Sequence, residues 1–347
     1  MKRSELFELR KRVGNLNALM GVTDYVLNDG PGKGVRVFHV RNGKGMELTV
    51  AADRGMDIPF LAYKGKTMSF AGKVGMRNPA FYDEDGVRGF LKQFYAGMLT
   101  TCGLTYAGAP CEDGGRKLGL HGPYSNLPAS QVSAGVECEG DEVVIRLKGE
   151  VREACVFEEN LLLRRTMTVY TEKDEIEIVD EIENQGFAEM PLMTLYHINF
   201  GYPMLDEGAR VYTDAASVEP RDQWAAEGPG VWNLMDAPEI GRGEQCYFHR
   251  GFKEGLAMIH NEKLGCAGIV AFDKERFPIL CEWKCMMAGE YALGLEPTMA
   301  NVLGRVDARE KGILPTIQPG ERITLKVRLI YTDDPEQIAC YKKAMKG

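Results

Sequence analysis

The sequence offers proton-transfer chemistry before anything else. Only five histidines occur among 347 residues, and two stand in unusual surroundings. His121 lies in Leu118-Gly119-Leu120-His121-Gly122-Pro123-Tyr124, where glycine and proline force an irregular backbone and the imidazole can point into a cleft. A turn-stabilising or exposed histidine is the structural alternative. His197 follows the apolar run Met193-Thr194-Leu195-Tyr196, and in a strand it shares one face with Leu195 and Asn199 while Tyr196, Ile198 and Phe200 take the other. Polar groups on such a strand must be satisfied, either by a ligand or by hydrogen bonds inside the core. Glu296 closes Glu290-Tyr291-Ala292-Leu293-Gly294-Leu295-Glu296-Pro297, a strand read as ending at the proline. Burial there would raise the carboxyl pKa toward the range of a general base. Arg54, in Asp53-Arg54-Gly55-Met56-Asp57, is either a ligand contact or one half of an Asp-Arg turn pair.

Other signals carry less. Gly30-Pro31-Gly32-Lys33-Gly34 lacks the spacing of a phosphate loop and reads as a turn. Cys281 and Cys285 flank Trp283 without a second ligand pair at metal spacing, so no metal site is expected. The 17 methionines are scattered and read as core filler.

The elements that must position these groups are short and strand-like. Val35 to Val40, Glu47 to Ala51, Val143 to Leu147, Leu161 to Tyr170, Glu175 to Ile182, Arg210 to Thr213, Leu256 to His260, Ala267 to Phe272, Tyr291 to Leu295 and Ile323 to Tyr331 alternate or are β-branched, and most are bounded by Gly, Pro, Asn or Asp. Leu161 to Tyr170 and Glu175 to Ile182 form a long hairpin, with one face buried and the other wet. A single helix, at about residues 4–13 with Ser4 as its cap, opens the chain. Strands do not alternate with amphipathic helices, which disfavours an α/β fold. The expectation is one all-β domain over residues 1–347, with Lys73 to Gly89 and Asp222 to Gly243 as irregular loops.

Composition excludes several classes. With 27% charged and 44% hydrophobic residues the chain is globular in character. A net charge of −8, with scattered bases, argues against nucleic acid. No run approaches the ~18 apolar residues of a membrane span. Charges at Glu5, Glu8, Arg10, Lys11 and Arg12 oppose a signal peptide, and nine irregularly placed cysteines read as reduced thiols, so a cytoplasmic location is expected.

The order His121, His197, Glu296 in one all-β chain resembles the aldose 1-epimerases, or galactose mutarotases, and in particular a divergent bacterial branch once grouped as a domain of unknown function. The likeness is carried by Gly97 to Leu104 followed by Leu120-His121-Gly122, by Tyr196-His197-Ile198-Asn199-Phe200-Gly201-Tyr202-Pro203, and by Glu282-Trp283-Lys284 leading to Gly294-Leu295-Glu296-Pro297. With Asp53 to Asp57 and the turn from Leu314 to Glu321, it covers nearly the whole chain. The resemblance implies a β-supersandwich that holds one monosaccharide or sugar derivative. It makes Glu296 the base at the anomeric hydroxyl, His197 the acid at the ring oxygen and His121 a second histidine near that oxygen. No metal or cofactor is called for.

The chain departs from the family pattern where an arginine would follow an early Gly-rich strand. The matching segment supplies threonines such as Thr101, so Arg54 is the substitute candidate, with Asp222 in an acidic sugar-binding role and Trp283 as a stacking surface for a pyranose. Asn199 shares the His197 face and joins the candidate binding residues. The implied activity is anomer exchange. The rivals are a sugar-binding or regulatory protein without catalysis, and another carbohydrate isomerase, lyase or hydrolase on the same sandwich, of which a hydrolase would need a second carboxylate. The oligomeric state stays open, a homodimer among the options.

Overall fold

The computed structural model describes residues 1–347 and is built around two large antiparallel sheets. The first runs, edge to edge, through Gly21–Val26, Arg36–Arg41, Met46–Ala51, Asp57–Tyr63, Leu99–Cys102, Leu195–Phe200, Glu290–Thr298, Ile279–Met287, Gln245–Arg250 and Ser217–Pro220, with Lys66–Thr67 added beside Asp57–Tyr63. The second runs through Ser130–Glu139, Glu142–Ala154, Asn160–Tyr170, Glu175–Asn184, Arg322–Thr332, Cys266–Phe272, Leu256–Asn261 and Arg210–Thr213. The large core draws on both sheets, with Val40, Leu48, Ile58 and Ile198 from the first and Ile145, Leu163, Ile178 and Leu325 from the second. The sequence's strand periodicity is therefore cashed out as a sandwich, each sheet turning its apolar positions toward the other. No helix is long and apolar enough to cross a membrane.

The hairpin of Asn160–Tyr170 and Glu175–Asn184 shows how the alternation works and where it breaks. Ile176, Ile178 and Ile182 are buried, while Glu177 and Glu181 are partly open. Asp180 shares the inward parity of the isoleucines, and Arg165 shares that of Leu163 and Met167, so two charges occupy core positions. They satisfy each other: Arg165 Nε and Nη2 donate to Asp180 at 2.9 and 2.7 Å, and Nη1 donates to Asp57 on the first sheet at 3.0 Å. Thr101 accepts from Arg165 Nη2 at 2.9 Å and donates to Asp57 at 2.6 Å, and the Tyr196 hydroxyl donates to Asp180. The cluster bridges the sheets and contains a neighbour of His197.

The opening helix spans Arg3–Arg10, with Lys2 rather than Ser4 at its cap, and buries only Leu6. The strand bearing Glu296 continues through Pro297 to Thr298; Pro297 stands opposite Leu280, so the proline sits inside a strand rather than ending it. Gly86–Leu91 and Gln223–Glu227 are helical within segments expected to be irregular. A C-terminal helix, Pro335–Ala344, was not expected; Asp334 caps it by accepting from the Glu336 amide at 2.8 Å, and Pro335 suits its first turn.

Removing one partner of a buried charge cluster strands the others. Asp180→Ala, which takes away the bidentate acceptor of Arg165, is expected to lower unfolding stability by about 3–5 kcal/mol in urea denaturation. A loss under about 1 kcal/mol would show that the cluster is not what joins the sheets.

Candidate active site

The first sheet presents two adjacent rows of side chains on the face turned away from the core. Leu195 pairs with Thr298 and Asn199 with Gly294, which sets His197 opposite Glu296; Glu296 in turn pairs with Cys281. In the next row Asn199 stands opposite Gly294, Gly294 opposite Trp283, and Trp283 opposite Cys246. Residues separated by about 100 in the chain are thus made neighbours by register alone. Above these rows lies a cleft of about 630 Å³, whose lining also includes His121, Phe90, Phe94, Arg221 and Glu244.

His197 and Glu296 form the centre. Nδ1 of His197 lies 3.1 Å from Glu296 Oε1, and both side chains are almost wholly buried. The Asn199 amide nitrogen donates to the carbonyls of His197 at 2.8 Å and Ala96 at 3.4 Å, which turns its Oδ1 toward Nδ1. Nδ1 therefore carries the proton and gives it to Asn199, so Glu296 Oε1 is close to Nδ1 without a hydrogen bond and has no protein partner. Nε2 makes no hydrogen bond to the protein. Burial drives His197 well below the usual histidine range, with His121 adding to the effect. It drives Glu296 well above the usual carboxylate range, helped by Cys246 and Glu244 and opposed by Arg221. Burial thus favours a protonated carboxyl beside a neutral imidazole, whose lone pair is on Nε2.

Gly294 makes room for that carboxyl. A Cβ at this position would collide with Glu296 Oε1, and the backbone itself is ordinary strand. Gly122 has a different reason: its φ is +71°, and a Cβ would lie 2.7 Å from the Gly103 carbonyl oxygen as well as against that of Tyr106. Together with His121 at φ +60°, it forms the loop that brings the second imidazole over the first. The rings of His121 and His197 meet edge to face with centroids 5.7 Å apart, and Phe90 packs 4.9 Å from His121. His121 Nδ1 is buried without a partner, and burial holds its pKa at about 4.

Phe94 and Trp283 wall the cleft, their centroids 4.8 and 5.3 Å from His197. Trp283 is steadied by donation from Nε1 to Glu244 at 2.7 Å. Arg221 donates to Asp222 at 2.9 Å, to Glu244 at 3.3 Å and to Cys246 Sγ at 3.0 Å, which places a guanidinium and a carboxylate together at the cleft.

Of the residues singled out in the sequence, the cleft brings together His121, His197, Glu296 and Trp283. Asn199 is adjacent and acts on the imidazole. Arg54 is corrected: its three nitrogens donate to the carbonyls of Ser125, Arg77 and Gln93 at 2.6, 2.8 and 3.0 Å, so it ties loops together beneath the surface instead of reaching a ligand. Thr101 is corrected too, since it belongs to the Arg165 cluster on the opposite face of the sheet. Asp222 caps Gln223–Glu227 through the Ala225 amide at 2.9 Å and braces Arg221, leaving the cleft to its neighbour. Arg221, Glu244, Cys246, Phe90 and Phe94 were not anticipated. Only the alternation of Cys281 with Trp283 hinted that this strand turns one face to a cavity.

Residues 32–330 match the family described as a domain of unknown function (DUF4432), and the chain belongs to that family. A search of curated proteins found no match. Among solved structures, a "putative aldose 1-epimerase" from Klebsiella pneumoniae superposes with a TM-score of 0.86 at 24% identity, over 93% of this chain and 86% of that one. A galactose mutarotase-like protein from Clostridium acetobutylicum gives 0.62 at 12% identity, covering 91% and 99% of the two chains. A galactose 1-epimerase from Lactobacillus acidophilus gives 0.59 at 12% identity, covering 90% and 99%. The fold is the galactose mutarotase-like β-sandwich.

Asn199→Asp would set a carboxylate against Nδ1–H and is expected to raise the His197 pKa, read by ¹⁵N NMR titration of the imidazole. Gly294→Ala should leave the sheet folded and displace the Glu296 carboxyl, which a crystal structure of the variant would reveal.

Proposed function

We propose that this cleft interconverts the anomers of a free aldose or a sugar derivative by general acid–base ring opening, without a cofactor. The observation that carries the proposal is the His197–Glu296 pair: an acid and a base 3.1 Å apart, buried at the floor of a cleft walled by aromatic rings. Anomer exchange needs one proton acceptor at the anomeric hydroxyl and one donor at the ring oxygen, and nothing that changes oxidation state.

The pair shares a single mobile proton. One member takes the proton from O1–H as the C1–O5 bond breaks, the C1=O bond forms and the other member protonates O5. After rotation about the C1–C2 bond, the same transfers in reverse close the ring on the other face of the carbonyl and restore the pair. The family resemblance makes Glu296 the base and His197 the acid. The neutral form that burial favours is the other arrangement of the same proton, and because Nδ1 already carries hydrogen, transfer relayed through the sugar to Nε2 connects the two. His121 stands where it can bind near the ring oxygen, Trp283 offers its face to the pyranose, and Arg221 with Glu244 offers donors and acceptors to hydroxyls.

Saturation-transfer NMR on a panel of reducing sugars tests the assignment. Glu296→Gln is expected to abolish nearly all exchange with the fold intact, and His197→Asn to cost ~10²- to 10⁴-fold. Full activity in Glu296→Gln toward every accepted sugar, or saturable sugar binding with no exchange in the native protein, would overturn it; the latter result would describe a sugar-binding protein.

The pH profile of kcat/KM should be a bell. Exchange is lost on the acid side when both groups hold a proton and on the alkaline side when neither does. Because His197 is lowered from 6.5 and Glu296 is raised from 4.5, the acid limb should lie below pH 6.5 and the alkaline limb well above the usual carboxylate range.

A further inference from the structure

Resting on that function, we infer that the preferred substrate is a reducing disaccharide, with a second pyranose ring seated in a hollow that continues the catalytic cleft. This hollow, of about 890 Å³, shares Leu91, Phe94, Glu244 and Trp283 with the cleft and extends past them to Met287 and Glu290.

A single strand face floors both. Cys281 and Trp283 line the catalytic cleft, and Trp283, Cys285 and Met287 line the hollow, all four alternating along Ile279–Met287. At ~3.4 Å per residue the six steps from Cys281 to Met287 cover roughly 20 Å, a track longer than one sugar ring. Trp283 stands at the junction, its indole held by Glu244 and its edge met by Phe94 with centroids 6.1 Å apart. It is a fixed aromatic wall with the apolar C–H faces of two successive rings as its natural partners.

The hollow's chemistry selects a sugar over a lipid-like tail. Its floor is apolar, but Lys73 and Glu290 form an ion pair at it and Glu244 opens onto it, so hydroxyls find donors and acceptors there. A wholly apolar occupant would desolvate those charges without return. Ring opening requires a free anomeric hydroxyl on the reacting sugar, so the second ring must be joined through one of its other oxygens, as in a reducing disaccharide.

Saturation-transfer NMR comparing maltose, cellobiose, lactose and melibiose with glucose and galactose tests this. At least one disaccharide is expected to exceed its reducing-end monosaccharide in kcat/KM by about tenfold, equivalent to ~1.4 kcal/mol of added binding in the transition state. Val74→Trp and Met287→Trp, each filling the hollow from a position outside the catalytic cleft, should return that ratio to about one. Ratios at or below one for all four disaccharides, or a ratio unmoved by both variants, would overturn the inference while leaving anomer exchange standing. If no sugar exchanges, the catalytic proposal fails instead. Titration of tryptophan fluorescence with the same sugars then decides the second ring: tighter disaccharide binding, lost in the variants, supports it, and equal binding refutes it.

Discussion

Arg165 is the point on which the architecture turns. Its guanidinium sits in the core between two sheets, bonded to Asp180 on its own sheet and to Asp57 on the other. A charge in that position is tolerated only because both carboxylates, a threonine hydroxyl and backbone carbonyls surround it, and the geometry of those donors and acceptors admits one relative placement of the sheets. Tyr196 joins the same network from the strand that carries His197 on its opposite face. The polar core and the polar cleft are thus two sides of one strand, and the first fixes where the second can be.

Desolvation then does the chemical tuning. The floor of the cleft imposes the same low polarity on a carboxyl and an imidazole, and the result is opposite for the two: the Glu296 pKa is pushed up and the His197 pKa down. Asn199 adds direction by assigning the remaining imidazole proton to Nδ1, and Gly294 adds space. Arg54, buried and bonded to three loop carbonyls, holds the segments that carry Phe94 and lead from His121, so a residue far from the cleft surface still shapes its roof.

The alternation of apolar and polar residues made the sandwich legible, and most of the expected strands lie within two residues of where periodicity places them, as at Arg210–Thr213 and Arg322–Thr332. Leu99–Cys102 and Gln245–Arg250, buried on both faces, have no such period and are not among the expected strands. The two histidines could be named because histidines are few and their local sequences odd, and Glu296 because it follows an apolar run and precedes a proline. Arg54 and Thr101 misled for a physical reason: a buried cation that holds loops together and a hydroxyl that completes an ion cluster look, in one dimension, like ligand contacts. Arg221 and Glu244 escaped notice because only sheet register brings their segments to the cleft, and register is not written in either segment alone.

Pro297 has a role beyond lacking an amide. A proline disfavours helical torsions in the residue before it, so Glu296 is biased toward extended backbone even in the denatured chain. Fewer conformations are then surrendered at this position when the sheet forms, and the carboxyl is mounted on the least adaptable peptide of its strand.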